Sequence, residues 1–143
     1  STITRLQNMG APDYLISAAT QLVVAQRLAR KNCKDCKIPD EDVTPKVLQD
    51  LGFTAEAASR VKAVKGKGCS KCSNTGYKGR QGIYEILVVS KPIKEAILRQ
   101  ATTPELREIG IKEGFQTMQD MGRRLIASGE LNFREYERVL SVD

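Results

Sequence analysis

Four cysteines constrain this chain more than any other feature. They stand as Cys33-Lys34-Asp35-Cys36 and Cys69-Ser70-Lys71-Cys72, two C-x2-C pairs separated by 32 residues. Two residues between cysteines let one tight turn present both sulfurs to a single ion at about 2.3 Å, and two such turns fill a tetrahedron. The chain has no histidine, so a metal site here is an all-cysteine one. Four thiolates around Zn2+ leave no position for water or substrate, which predicts a structural metal and not a catalytic one. The linker is longer than in the commonest zinc ribbons, but the cost of closing a loop grows only logarithmically with its length. Other readings stand beside zinc. A redox dithiol usually occurs once, after a strand and at a helix N-terminus, whereas these pairs sit in loops rich in Gly, Lys and Asn. Structural disulfides need an oxidising compartment and usually a smaller, Cys-denser domain. An Fe–S cluster or another metal is the remaining alternative. Asn74-Thr75-Gly76 and Gly79 follow the second pair, and they free the backbone to turn N–H groups toward the sulfurs.

A chain of 143 residues suits one domain, or one small domain with an appended piece. Its 41% apolar content supports a modest core, built mainly from Leu, Ile, Val, Ala and Met because Trp is absent and aromatics are few. No apolar run approaches the ~18 residues of a membrane span, and no secretion signal is expected. With four paired thiols, these features predict a cytoplasmic location. The chain starts at Ser1, which points to a processed or excised piece. The net charge of +6 is unevenly placed. Residues 1–84 carry 14 basic and 7 acidic side chains, and residues 85–143 carry 9 and 10. Between Ala57 and Tyr84 there is no acid, yet Arg60, Lys62, Lys65, Lys67, Lys71, Lys78 and Arg80 are basic. Part of that excess offsets a metal centre with a net charge of about −2. The rest is either a solvated face or a surface for nucleic acid, anionic lipid or nucleotide phosphate.

Along the chain, Ile3–Met9 reads as the last turns of a helix stopped by Gly10. Ala11-Pro12-Asp13 starts a second helix, apolar almost all round through Leu15, Ile16, Ala18, Ala19, Leu22 and Val23. From about Ala25 the pattern alternates as a strand does, and 26–31 delivers the chain to Cys33. Between the pairs, Thr44-Pro45 opens a short helix with Val47, Leu48 and Leu51. Thr54 caps another through Arg60, and Val61–Lys65 is a brief strand. Residues 80–89 are the best strand in the sequence, and they predict antiparallel pairing with 26–31 around the cysteine module as an elaborate hairpin loop. Four helices follow. Ser90 caps the first, Thr102 or Thr103 opens the second, and Thr117 starts a third with Met118, Met121, Gly122, Leu125 and Ile126 on one face. Asn132 with Glu135 opens the last, with Phe133, Tyr136, Val139 and Leu140 inward.

The chemistry of an enzyme is missing. There is no G-x-x-x-x-G-K-[ST], and Gly66-Lys67-Gly68 does not extend to G-x-G-x-x-G. No histidine is present as a base, and no carboxylate pair stands in an apolar setting. The chain alone is expected not to be catalytic.

Three segments carry a family resemblance. They are Ile3-Thr4-Arg5-Leu6-Gln7-Asn8-Met9-Gly10, Val24-Ala25-Gln26-Arg27-Leu28-Ala29-Arg30 before Cys33, and Cys69-Ser70-Lys71-Cys72 running into Gly76-Tyr77-Lys78-Gly79-Arg80-Gln81-Gly82-Ile83-Tyr84-Glu85-Ile86-Leu87. Together they resemble the C-terminal third of the secretion ATPases, the motors of type IV pilus assembly and type II secretion. The resemblance covers nearly the whole chain in order, and Gly76–Leu87 beside a C-x2-C pair is its most specific part. It implies an α/β chain, an α+β fragment, at the C-terminal edge of a RecA-like core. Residues 1–32 and 80–90 would finish that core, 33–79 would be a zinc-binding insertion with Cys33, Cys36, Cys69 and Cys72 as ligands, and 91–143 would be a helical subdomain. ATP and Mg2+ would be bound only by the full-length protein. That protein would be a cytoplasmic hexamer of neighbouring ATPase subunits, docked on an inner-membrane platform protein. Gln26, Arg27 and Arg80 would then border the nucleotide, although a strand-edge salt bridge is the simpler role for each arginine. Nucleic acid is not an expected partner. A zinc-ribbon nucleic-acid module is the alternative, but only Tyr77 and Tyr84 are near enough to stack on bases.

Overall fold

The computed structural model describes residues 4–5, 8–10 and 22–141. The second predicted helix, from Ala11, lies outside the described residues as far as residue 21. Thr4, Arg5 and Asn8 are helical, and Gly10 follows with φ of 90°, as a helix stop requires. Leu22 and Val23, read as the apolar end of the second helix, are instead the start of strand β1 (Leu22–Asn32). A short apolar run does not distinguish the two periods, and Val23 and Val24 have the branched side chains that strands favour.

After β1 come β2 (Lys37–Pro39), α1 (Pro45–Asp50), α2 (Ala55–Arg60) and β3 (Val64–Gly66). A single 3-10 turn, Ser70–Cys72, precedes β4 (Tyr77–Val88). Four helices follow: α3 (Lys91–Leu98), α4 (Thr103–Lys112), α5 (Met118–Ser128) and α6 (Phe133–Leu140). Among the described residues the result is a mixed α and β chain with two small sheets. One pairs β1 with β4, and the other pairs β2 with β3. The second is antiparallel, with Lys37 opposite Gly66, Ile38 opposite Lys65 and Pro39 opposite Val64.

The helix starts follow from local chemistry. Thr44, Thr54 and Thr102 each accept a hydrogen bond from the backbone N–H three residues on, which satisfies one orphan donor per helix. Ser90 stands at the N-cap of α3, but its hydroxyl donates to Glu113 Oε1 at 2.7 Å instead.

The chain divides into two compact units. In one, which includes residues 84–117, Val89, Ile93, Ala96, Ile97 and Leu106 form a buried core, with Leu87, Ala101 and Ile109 packed against it. The other contains residues 26–83 and 118–143, so the cysteine pairs share a unit with α5 and α6. There Leu48, Ile83, Ile126, Leu131 and Leu140 are fully buried.

Candidate metal centre

Strand β1 ends at Asn32, and the backbone there is fixed. Asn32 N–H donates to Glu130 O at 2.8 Å, and its side-chain Nδ2 donates to Gly129 O at 3.0 Å. Cys33 follows with its N–H on Gly76 O at 2.9 Å, so the first pair is tied directly to the loop after the second. The long linker closes because β2 and β3 pair immediately beyond Cys36 and bring the chain back beside it, with α1 and α2 at the far end of the excursion. Lys67 N–H on Cys36 O at 2.9 Å completes the return. The approach is tight enough to demand glycine. A Cβ on Gly66 would lie on the carbonyl of Gly76, and one on Gly76 would lie 2.5 Å from Gly66 O.

The four sulfurs converge. Cys33 and Cys69 Sγ are 3.8 Å apart, Cys36 and Cys72 Sγ 3.9 Å, and Cys69 and Cys72 Sγ 3.7 Å. All four lie within 4.8 Å of one another. Tetrahedral bonds of about 2.3 Å require sulfur separations of roughly 3.8 Å. A disulfide requires about 2.05 Å, and all four cysteines are free. Four thiolates at this spacing can hold one ion, and the donor set suits a soft or borderline metal. Cys33 and Cys72 are buried, and Cys36 and Cys69 are half-buried.

Backbone donors complete the shell. Gly68 N–H points to Cys36 Sγ at 3.3 Å, while Cys69 and Gly76 N–H point to Cys72 Sγ at 3.2 Å each. These bonds favour thiolate, because the charged form accepts them best. Burial alone would raise the Cys72 pKa, but the N–H groups of Cys69 and Gly76 outweigh it and hold the thiol down to about 6. Burial wins at Cys36 and pushes it up to about 11, with the single Gly68 N–H opposing.

A second constellation anchors the centre to α6. Glu135 is fully buried, yet its carboxylate meets Arg30 Nη2 at 3.0 Å and Arg138 Nη2 at 2.6 Å and accepts Arg30 N–H at 2.7 Å. Burial works against the charge, but these donors prevail and lower its pKa to about 2. The Arg30 guanidinium also lies 4.1 Å over the Tyr77 ring, and Asn132 Nδ2 donates to the Tyr77 hydroxyl at 3.0 Å. Sequence reasoning assigned Glu135 only to a helix start. Its one local signal is the i,i+3 spacing to Arg138, and the partner on β1 is 105 residues away.

The remaining predicted residues lie on the β1–β4 sheet. Gln26 and Arg27 are exposed on β1, and Arg27 Nη1 donates to Val139 O at the end of α6. Arg80 is exposed on β4, makes no side-chain bond with a described residue, and lines a hollow with Arg30, Tyr77 and Lys78.

Residues 1–138 match the family model described as Type II/IV secretion system protein, and the chain belongs to that family. Among its relatives, the type IV pilus assembly ATPase PilB of Thermus thermophilus is 40% identical over 123 residues, covering 84% of this chain and 13% of that protein. PilB of Pseudomonas aeruginosa is 36% identical over 138 residues, covering 96% of this chain and 24% of the relative. The type II secretion system ATPase E of Vibrio cholerae is 34% identical over 135 residues, covering 85% and 26%. The chain thus spans about a quarter or less of the length of these relatives.

Proposed function

We propose that this chain is the zinc-stabilised, non-catalytic C-terminal portion of a hexameric secretion ATPase that powers type IV pilus assembly, or type II secretion. The observation that carries the reading is the tetrahedral spacing of four sulfurs within a chain of this family. Cys33, Cys36, Cys69 and Cys72 hold Zn2+, which supplies a closed tetrahedral node and no open coordination position. The surrounding residues orient that node. Gly68, Cys69 and Gly76 donate to its sulfurs, Asn32 ties it to the loop before α6, and Arg30 and Glu135 tie β1 to α6.

Residues 1–32 and 80–90 complete a RecA-like core, 33–79 form the zinc insertion, and 91–143 form the helical C-terminal segment. Strand β4 supports that reading through its exposed apolar face. Tyr84, Ile86 and Val88 are 43%, 52% and 63% exposed, and a larger sheet would cover them. ATP and Mg2+ bind in the intact protein, with Arg80, Arg27 and Gln26 beside the nucleotide. A guanidinium such as that of Arg80, which has no side-chain partner among the described residues, is suited to phosphate or to stacking on a base. The intact motor works on the cytoplasmic side of the inner membrane, against a platform protein. No described helix is long and apolar enough to cross a membrane.

Two measurements test this. Metal analysis of the purified chain is expected to give about one Zn2+ per chain, with no ATP hydrolysis. Four titratable thiols, no metal, and full stability to a strong chelator would sink the zinc assignment. In the intact motor, Cys72→Ser is expected to reduce pilus output or secretion more than ATP turnover. Normal output from that variant would count against a coupling role for the centre.

A further inference from the structure

We propose that the cationic hollow beside the first cysteine pair binds a compact oligophosphate. The hollow encloses about 370 Å3 and is lined by Lys31, Lys34, Lys37 and Lys78, with Glu130 as its carboxylate. The lysines come from the end of β1, the turn between the first two cysteines, the start of β2 and the start of β4. Lys31, Lys34 and Lys37 stand close together in the sequence, and the fold brings Lys78 beside them. None of the four forms an ion pair with a described residue. Asp35, the acid in the turn itself, is already taken by Lys71 at 3.8 Å.

Balancing a four-thiolate metal centre does not account for all of this charge. Such a centre carries about −2, and four ammonium groups exceed it even with Glu130 included. Like charges gathered around one hollow repel, and an anion seated among them relieves that cost. The ligand has more than one charged group because the surface continues. Lys78 and Gly79 also line an adjoining hollow of about 310 Å3, shared with Arg30 and Arg80. Gly79, common to both, raises no side chain between them. Two or three linked phosphates can meet the lysines in the first hollow and the Arg80 fork in the second. A single phosphate makes fewer of these contacts.

Other polyanions fit less well. A single-stranded nucleic acid favours an open aromatic face to stack on, and one face of Tyr77 is taken by the Arg30 guanidinium at 4.1 Å. A bilayer favours an apolar rim that can insert, and no Leu, Ile, Val, Met or Phe lines either hollow.

The test is calorimetric titration of the metal-loaded 143-residue chain with tripolyphosphate and, separately, with orthophosphate. Metal content is measured before and after, since oligophosphates chelate. The expected result is saturable binding, with tripolyphosphate at least about tenfold tighter than orthophosphate, and a loss of about tenfold for each of Lys31→Gln and Lys78→Gln at unchanged metal content. The proposal is overturned by no saturation at millimolar tripolyphosphate, or by variants that bind it as tightly as the parent. It also fails if the variants lose metal instead of the anion. Tighter binding to anionic vesicles or to a single-stranded oligonucleotide than to tripolyphosphate overturns it as well.

Discussion

Glu135 is a buried carboxylate between two guanidinium groups, so its replacement by Gln isolates the value of that charge. A drop from 4.5 to about 2 in its pKa corresponds to roughly 3 kcal/mol in favour of the charged form. That figure is an upper bound, because the Arg30 and Arg138 side chains remain 48% and 54% exposed and water recovers part of their charge. The sign follows from a depressed acid pKa. Unfolding lets Glu135 bind a proton more readily, so its contribution is complete above about 4.5 and disappears as pH falls through about 2. Urea denaturation of Glu135→Gln and the parent, compared in the same metal state, is expected to show a gap of about 2–3 kcal/mol at pH 7. The gap should close between pH 4.5 and pH 2, and a constant gap over that range would remove the charge from the explanation. Cys36 offers a second residue-level test. Its thiol, held up at about 11, must lose a proton before it can bind metal, so metal affinity is expected to fall as pH is lowered from 8 to 6 in a competition titration. An affinity independent of pH would mean that the thiols are already ionised.

At the scale of elements, α5 and α6 meet at Gly122. A Cβ there would lie 2.7 Å from Tyr136 Cε2 and would also strike Leu140 Cδ1. Alanine is worth up to about 1 kcal/mol more than glycine in a helix, but overpacking costs about 1–3 kcal/mol. Gly122→Ala is therefore expected to lower Tm by a few degrees in a thermal melt, and a rise would show that the two helices can separate without cost. Gly122 was legible as part of the inward face of its helix because that pattern is local. The same holds for Thr44, Thr54 and Asn132 as caps, and for the cysteine pairs, where two intervening residues define the turn. Strand β2 was not legible. Three residues carry no period, and Lys37–Pro39 is a strand only because Val64–Gly66 returns beside it. The Arg30–Glu135 pair was hidden for the same reason. Its partners are 105 positions apart, and no spacing rule reaches that far.

At the scale of the whole chain, the four-cysteine cluster and the helices α5 and α6 belong to one unit. Residues 26–83 and 118–143 cluster together, with Cys33 one residue beyond an Asn32 that is bonded to Gly129 and Glu130. Helices α3 and α4 have a separate core in Val89, Ile93, Ala96, Ile97 and Leu106. Structural zinc contributes on the order of 10–16 kcal/mol in small zinc peptides at neutral pH, far more than the few contacts of a polar excursion. On the proposed function, removing the metal would take away the node shared by the two cysteine pairs and free Cys33, which follows the end of β1. Loosening should spread from there to α5 and α6 through Asn32 and Arg30, while α3 and α4 keep the contacts that bury them. Hydrogen exchange of the chain with and without a strong chelator reads this directly. Protection is expected to fall in 33–79 and in 118–140 together and to persist in 91–112. Equal loss in 91–112 would mean that the metal supports the whole chain, and loss confined to 33–79 would mean that the Asn32 and Arg30 links carry little energy.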